Sequence, residues 1–277
     1  MNTLRTNLRS CLKDILPPKL LTFTQRLIGL IHGIKRVFQY PQYDSSVYWR
    51  ERARGSEGSR VLWSNEGYNQ LYRRIQRGVI ETFLINLDEN SLVLDVGCGT
   101  GVVARMITEL KSNIFVDGID FPEMIQIAKR ENPSARISYI ESSAEEYFDP
   151  GKHYELVISS ACFAAIRDIL KMEQAITNCI RMLDEGGIVL MMDPFHRWNY
   201  LARVKYSSRQ LIRFMKQRGF ELTLKSGVLF WPYREWLANS NYHGAELERK
   251  FAQGEKLLSC FGKVLWADYK ILAFRKK

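Results

Sequence analysis

The sequence lacks the features that define several protein classes. Its longest apolar stretch, 20–34, is interrupted by Gln25, Arg26 and His32, so no run reaches the 18 uncharged residues of a membrane-spanning helix. The five cysteines are scattered without a CxxC pair, and the four histidines lie far apart. These spacings argue against a disulfide framework and against a metal site. We therefore expect no metal and a reducing, cytoplasmic environment.

The composition is that of an ordinary globular protein, with 46% hydrophobic and 25% charged residues in 277. The net charge of +10 is unevenly distributed: segments 1–60 and 201–277 are basic, and segment 61–200 is acidic. Basic segments attract anionic partners such as phosphorylated molecules, membrane surfaces or nucleic acid. The same charge also serves solubility without any specific partner, and the composition leaves both interpretations open.

Residues 1–60 are predicted to form a basic, amphipathic helical extension followed by a linker. Apolar residues recur at helical spacing over 3–16 and again over 20–38, and Pro17 separates the two stretches. No signal-peptide pattern is visible, because basic residues divide the first apolar stretch. The two helices suit either packing over the rest of the protein or peripheral contact of residues 1–38 with a membrane.

From residue 91 onward, short apolar strands alternate with helices of 10–15 residues, which predicts a doubly wound α/β fold with a mostly parallel sheet. Asp168 and either Ser207 or Ser208 are predicted helix N-caps. The glycines Gly186 and Gly187 are expected to close the helix that begins after Asp168.

A glycine-rich segment joins the first strand to its helix, where doubly wound sheets bind nucleotides. It reads Asp95-Val-Gly97-Cys-Gly99-Thr-Gly101. Position 102 is valine, so the G-x-G-x-x-G spacing of a dinucleotide site is absent, which argues against NAD and FAD. Twenty-five residues after Asp95, the second strand ends at Asp120. An acid there can accept hydrogen bonds from both hydroxyls of a ribose.

These features resemble the class I S-adenosylmethionine-dependent methyltransferases. The glycine loop, the acid at Asp120 and the segment 183–190 (LDEGGIVL) occur in the order and spacing of that family. Within the family, the chain is most similar to the small-molecule group that includes quinone-biosynthesis enzymes. The resemblance covers about residues 60–277. It implies a methyltransferase domain over 61–277, with a seven-stranded sheet whose last strand is antiparallel.

The resemblance also assigns roles to individual residues, with S-adenosylmethionine as the cofactor. The loop would surround the methionine end of the cofactor, Asp120 would hold the ribose, and the other residues would lie beside the adenine or the transferred methyl group. The complete expected set is Asp95, Gly97, Gly99, Gly101, Asp120, Phe121, Met124, Ser143, Ala144, Ser159 and Ser160. Family members usually carry Gly-Asp-Ala after the third strand, whereas this chain has Ser142-Ser143-Ala144 and so brings no charge to the adenine.

The reaction itself leaves little trace in a sequence, because positioning of the reactants supplies much of the rate enhancement. A base is needed only where the nucleophile must lose a proton, and His196, after the fifth strand, is the candidate. We expect a small-molecule, lipid or glycan acceptor methylated at oxygen. The alternatives are an RNA methyltransferase and an inactive cofactor-binding subunit. Nucleic acid is not expected, because Ser159-Ser160-Ala161-Cys162 replaces the Pro-Pro-aromatic motif of enzymes that methylate amino groups of nucleic acids.

Overall fold

The computed structural model describes residues 45–54, 62–196 and 205–277. The predicted helices over 3–16 and 20–38, and hence the predicted membrane contact of residues 1–38, lie outside the described residues. No helix in the described ranges has the length and apolar character needed to cross a membrane. The boundary between residues 60 and 61 stays a prediction.

Seven strands form one sheet in the described part of the chain, in the order β3-β2-β1-β4-β5-β7-β6. All neighbouring pairs are parallel except those of β7, which runs antiparallel to β5 and to β6. This arrangement confirms the predicted doubly wound sheet and its antiparallel last strand. The strands are β1 (Leu92–Val96), β2 (Phe115–Asp120), β3 (Ile137–Glu141), β4 (Tyr154–Ser160), β5 (Leu183–Asp193), β6 (Phe220–Phe230) and β7 (Ala267–Lys276).

Helices cover both faces of the sheet, and each face has its own hydrophobic cluster. The central strands are buried on both sides and therefore read as continuous apolar runs rather than as alternating patterns. The helices are α1 (Ser45–Ala53), α2 (Glu66–Leu84), α3 (Val102–Leu110), α4 (Pro122–Glu131), α5 (Ile169–Arg181), α6 (Ser208–Lys216), α7 (Trp231–Leu237) and α8 (Gly244–Phe261), with a 3₁₀ turn at Phe163–Ala165.

Local capping signals were read correctly from the sequence. The Asp168 carboxylate accepts hydrogen bonds from the backbone N–H groups of Leu170 and Lys171 and begins α5. Ser207 begins α6, and its side chain and that of Gln210 form a reciprocal capping box. These caps depend only on residues within one helical turn, which is why the sequence specifies them.

The prediction for Gly186 and Gly187 was wrong. Helix α5 already ends at Arg181, and both glycines lie inside β5. The pairing of β5 with β4 is interrupted between Leu183 and Ile188, and Gly186 adopts a positive φ of 76° in that interruption. The glycines therefore serve a bulge in the strand and not the end of a helix.

The last third of the sheet is one long antiparallel pair. Strand β6 continues to Phe230, because it pairs with β7 along its whole length. Helix α7 follows at once and was not predicted; Pro232 occupies its first turn. This short helix carries Arg234, which is almost completely buried.

Candidate functional site

The glycine loop turns sharply between β1 and α3. Gly97, Gly99 and Gly101 all have positive φ values, of 69°, 57° and 81°. A side chain cannot replace the first of them, since a Cβ on Gly97 would lie 2.5 Å from the Cβ of Cys162. The backbone N–H groups of Gly97 and Cys98 donate to the carbonyl of Ile119 at 2.9 and 3.0 Å. These bonds tie the loop to the end of β2.

Asp120 completes the link between the two strand ends. Its Oδ2 accepts a hydrogen bond from the backbone N–H of Gly99, and its Oδ1 accepts one from that of Phe121, both at 2.7 Å. A carboxylate has about four acceptor positions, so two remain for a ligand such as a pair of hydroxyl groups. Burial raises the pKa of Asp120 to about 6, although the two backbone N–H groups act to lower it.

Asp95 presents an unsatisfied carboxylate to the same place. Its side chain is 1% exposed, and its Oδ2 has no hydrogen-bond partner among the described residues. Burial raises the pKa of Asp95 to about 7, against the lowering influence of the Arg73 guanidinium. The backbone N–H of Ala104 bonds to this carboxylate, but a buried oxygen without a partner is costly in the free protein. A positively charged group of a ligand would supply the missing partner.

Helix α1 lies beside the ribose-binding candidate. The Arg50 guanidinium is 5.1 Å from the ring centre of Phe121 and its Nε is 3.8 Å from a carboxylate oxygen of Glu123. Met124, which we expected beside an adenine, is 2% exposed and packs with Ala53 of α1 and Ile127. The Met124 side chain thus contacts the protein interior, whereas Phe121 is half-buried.

The segment after β3 lies next to Asp120. The backbone N–H of Ser142 donates to the carbonyl of Asp120 at 3.1 Å. The carbonyl of Ser143 accepts from two backbone N–H groups of the following turn, and its side chain borders an open depression lined also by Glu145 and Gln174. Ala144 is buried. The prediction that Ser143 and Ala144 contact an adenine fits this position and stays a prediction.

The two serines at the end of β4 point to opposite faces of the sheet. Ser159 is fully buried, and its hydroxyl donates to Oδ2 of Asp193 at 2.7 Å. Ser160 accepts a 2.7 Å hydrogen bond from Nε2 of Gln76, whose Oε1 accepts one from Arg73. Ser159 therefore supports the end of β5 from within, whereas Ser160 belongs to a polar group that α2 holds over the strand ends.

Arg73 and Gln76 were not singled out in the sequence. A signal was present, because they are three residues apart in a helix whose other inward positions, apart from Asn69, are apolar or aromatic. Burial lowers the pKa of Arg73, while the neighbouring Tyr72 and Asp95 act to raise it. A half-buried guanidinium near Asp95 adds a group able to bind an anion beside the unsatisfied carboxylate.

His196, the candidate base, lies three residues beyond the end of β5. Its Nε2 is 2.7 Å from the backbone carbonyl oxygen of Asp268, at the start of β7. The His196 side chain is 19% exposed, so it is accessible from solvent on one side. No group of potential metal ligands occurs among the described residues.

Comparison with known proteins finds similar methyltransferases. The family described as "Methyltransferase domain" matches residues 93–187. The malonyl-[acyl-carrier protein] O-methyltransferase 1 of Ilyobacter polytropus is 30% identical over 121 residues, which cover 42% of this chain and 44% of that protein. A tRNA1(Val) (adenine(37)-N6)-methyltransferase of Pedobacter heparinus is 31% identical over 88 residues, covering 30% and 37%. A ubiquinone biosynthesis O-methyltransferase of Rickettsia typhi is 28% identical over 163 residues, covering 53% and 61%.

The matched stretch covers less than two thirds of each of these relatives. Among solved structures, the N-methyltransferase NodS of Bradyrhizobium japonicum, in complex with S-adenosyl-L-homocysteine, has a TM-score of 0.57 and is 14% identical. That alignment covers 84% of this chain and 99% of NodS, which shows a shared fold. The matching family and the strand order together identify a methyltransferase domain that includes residues 93–187.

Proposed function

We propose that this protein is an S-adenosylmethionine-dependent methyltransferase that acts on a small-molecule, lipid or glycan acceptor, with oxygen as the atom methylated. The observation that carries the proposal is the pair of carboxylates at neighbouring strand ends. Asp95 has a buried oxygen without a partner, and Asp120 has free acceptor positions. The first suits the ammonium group of a methionine moiety and the second suits ribose hydroxyls.

The residues present fit the cofactor without further adjustment. The loop glycines allow the tight turn, since a Cβ on Gly97 would meet Cys162 and one on Gly101 would meet Tyr139. Arg73 offers a cation for a carboxylate in the same corner. When bound, S-adenosylmethionine supplies a methyl group on a positively charged sulfur. The remaining task of the protein is to bind and orient the acceptor and, for a hydroxyl, to receive its proton.

Removing Asp120 should weaken cofactor binding. A hydrogen bond to a charged acceptor contributes about 1.5–3 kcal/mol, so Asp120→Ala is expected to raise the Kd for S-adenosylhomocysteine roughly 10- to 100-fold. Isothermal titration calorimetry measures this directly. Asp88→Ala, which removes an exposed carboxylate between α2 and β1, is the matched control and should bind as the wild type does. If both variants bound S-adenosylhomocysteine equally well, Asp120 would not be part of the binding site.

The choice of acceptor is supported by the named O-methyltransferases among the relatives and by the basic termini, which favour an anionic or lipid-linked molecule. The tRNA methyltransferase among the relatives favours RNA as a second candidate. The residues Ser159-Ser160-Ala161-Cys162 argue against it, since they replace the proline-rich motif of nucleic-acid enzymes that methylate amino groups. Half-buried Cys162 does not suit a nucleophile either, because burial raises the pKa of its thiol.

A labelling experiment separates these possibilities. The full chain is incubated with S-adenosylmethionine labelled in its methyl group and with cell extract fractionated into small molecules, lipids, saccharides and RNA. We expect label in one of the first three fractions and none in RNA. Label in RNA, with binding that weakens steeply as salt is added, would replace the proposal by the RNA alternative. Binding of the cofactor without transfer to any fraction would favour an inactive subunit.

A further inference from the structure

A buried charged cluster lies at the carboxyl edge of the sheet, outside the glycine loop. Asp268 is 1% exposed, and its Oδ2 is 2.8 Å from Nε of Arg234. The Arg234 guanidinium also contacts Glu235 at 2.7 Å through Nη2. Although burial disfavours the charged guanidinium, the two carboxylates raise the pKa of Arg234 above its ordinary value. Arg234 thus fixes the orientation of the Asp268 carboxylate.

His196 contacts the other side of this carboxylate. Its Nε2 lies 2.7 Å from the backbone carbonyl oxygen of Asp268 and 3.5 Å from the Oδ1 atom. A carbonyl oxygen can only accept a hydrogen bond, so Nε2 must carry the hydrogen. In a neutral imidazole the other nitrogen is then unprotonated. The contact therefore leaves Nδ1 of His196 as a proton acceptor.

His196 lies at the edge of the sheet where a ligand is expected, so its Nδ1 can serve as a base there. Strand β5 ends at Asp193, which is hydrogen-bonded to Ser159 at the end of β4. Strand β4 pairs directly with β1, which carries the glycine loop. His196 follows β5 by three residues and lies at the same edge of the sheet as the loop. Ligands of doubly wound folds bind outside this edge.

We infer that Asp268 is a positioning residue that holds His196 in the Nε2–H tautomer, so that Nδ1 accepts the proton of a hydroxyl acceptor. This inference rests on the proposed function. The acceptor's O–H bond breaks and its proton passes to Nδ1. An oxygen lone pair forms the new bond to the donated methyl group, and the electrons of the methyl–sulfur bond leave with the sulfur. The imidazolium so formed lies beside the Asp268 carboxylate.

Other charged and titratable groups surround the pair. Arg234 and Glu235 come from α7, Tyr68 from α2 and Lys270 from β7. Burial lowers the pKa of Lys270 to about 8, against the raising influence of Asp268. The Nζ of Lys270 donates to the carbonyl of Ala267, so the Lys270 ammonium group is held against the start of β7. Among the described residues, the carboxylate that lies within 4 Å of the His196 ring is that of Asp268.

The tautomer can be read without any enzymatic assay. Protein labelled with ¹⁵N-histidine gives two-bond ¹H–¹⁵N correlations that distinguish a protonated ring nitrogen from a bare one, and His196→Gln identifies the resonances. At a pH where the ring is neutral, we expect a protonated Nε2 and an unprotonated Nδ1. A protonated Nδ1, or equal exchange between the two tautomers, would overturn the inference.

Variants test the role of His196 in turnover. The measured quantity is the rate at which the labelled methyl group is transferred to the extract fraction that accepts it, at saturating S-adenosylmethionine. His196→Gln keeps an amide N–H for the Asp268 carbonyl but has no basic nitrogen, so the rate should fall about 10²- to 10⁴-fold. His243→Gln is the matched control, because His243 is exposed at the start of α8 and its Nδ1 lies 3.1 Å from the carbonyl oxygen of Asn241. It should transfer methyl groups at the wild-type rate. A wild-type rate in His196→Gln would contradict the inference.

Asp268→Asn tests the positioning residue itself. Its amide can no longer attract an imidazolium, so the transfer rate should fall at least about tenfold while the Kd for S-adenosylhomocysteine stays unchanged. An equal loss of cofactor affinity would indicate a merely structural role. If Arg234, deprived of its partner, prevents this variant from folding, the tautomer of the wild type and the His196→Gln rate still decide. Absence of any S-adenosylhomocysteine binding by wild type would refute the proposed function but not the tautomer.

Discussion

Replacing Asp95 by asparagine is expected to make the ligand-free protein more stable at pH 8 and to weaken cofactor binding by more than tenfold. Burial raises the pKa of Asp95 to about 7, whereas an aspartate in an unfolded chain titrates near 3.8. Between these values the folded state binds a proton that the unfolded state has lost. Stability therefore falls as pH rises through this range, by an amount on the order of a few kcal/mol, and stays at the lower level above it.

Asp95→Asn removes this pH-dependent loss, since an amide does not ionise. The free energy of unfolding from urea titrations at pH 5 and at pH 8 measures the difference, with Asp88→Asn as an exposed control.

The same ionisation has a consequence for binding. A cationic group of the ligand favours the ionised carboxylate, so wild-type affinity should rise between pH 6 and pH 8 by more than that of Asp95→Asn. Parallel pH profiles of the two proteins would show that Asp95 does not face the ligand.

Gly97→Ala is expected to destabilise the fold by about 2–5 kcal/mol, from overpacking and from the left-handed backbone together, and to abolish cofactor binding. The new Cβ would lie 2.5 Å from Cβ and 2.6 Å from Sγ of Cys162. Gly78→Ala is the control: Gly78 lies within α2 with open space around it, and alanine there should stabilise by up to about 1 kcal/mol.

The two causes of the Gly97 effect can be separated. Cys162→Gly removes both atoms that the new methyl group would meet, so the double variant Gly97→Ala with Cys162→Gly should regain the steric part of the loss. The conformational part remains, because φ at this position stays near 69°. Thermal unfolding of the four proteins in the double-mutant cycle measures the coupling energy. Simple additivity of the two substitutions would argue against the contact.

The sequence was informative wherever a short segment determines its own structure. The glycine loop, the Asp168 and Ser207 caps and the alternation of strands and helices all follow from neighbouring residues. It was misleading at Gly186 and Gly187, because glycine suits a helix end and a strand bulge equally well. Only the pairing of β5 with β4 decides between them.

The part of the site that the sequence did not disclose depends on contacts between distant segments. Gln76 bonds to a serine 84 positions later, and His196 to a carbonyl 72 positions later. Such pairs arise only when the sheet brings its strand ends together, so no local pattern predicts the partner of Gln76 or of His196. The buried Arg234 is a similar case, since an arginine in a sequence is ordinarily read as a surface residue.

The place of β7 in the sheet has a consequence for how the molecule forms. It is the last strand along the chain among those described, yet it lies between β5 and β6 and bonds to both. While the ribosome is still making residues 220–266, β6 has no neighbour and the exposed border of β5 is unprotected. The nascent protein therefore has two unpaired strand edges, which can pair with other chains until β7 inserts between β5 and β6. Folding of this part of the sheet depends on contacts between distant residues and is therefore slow.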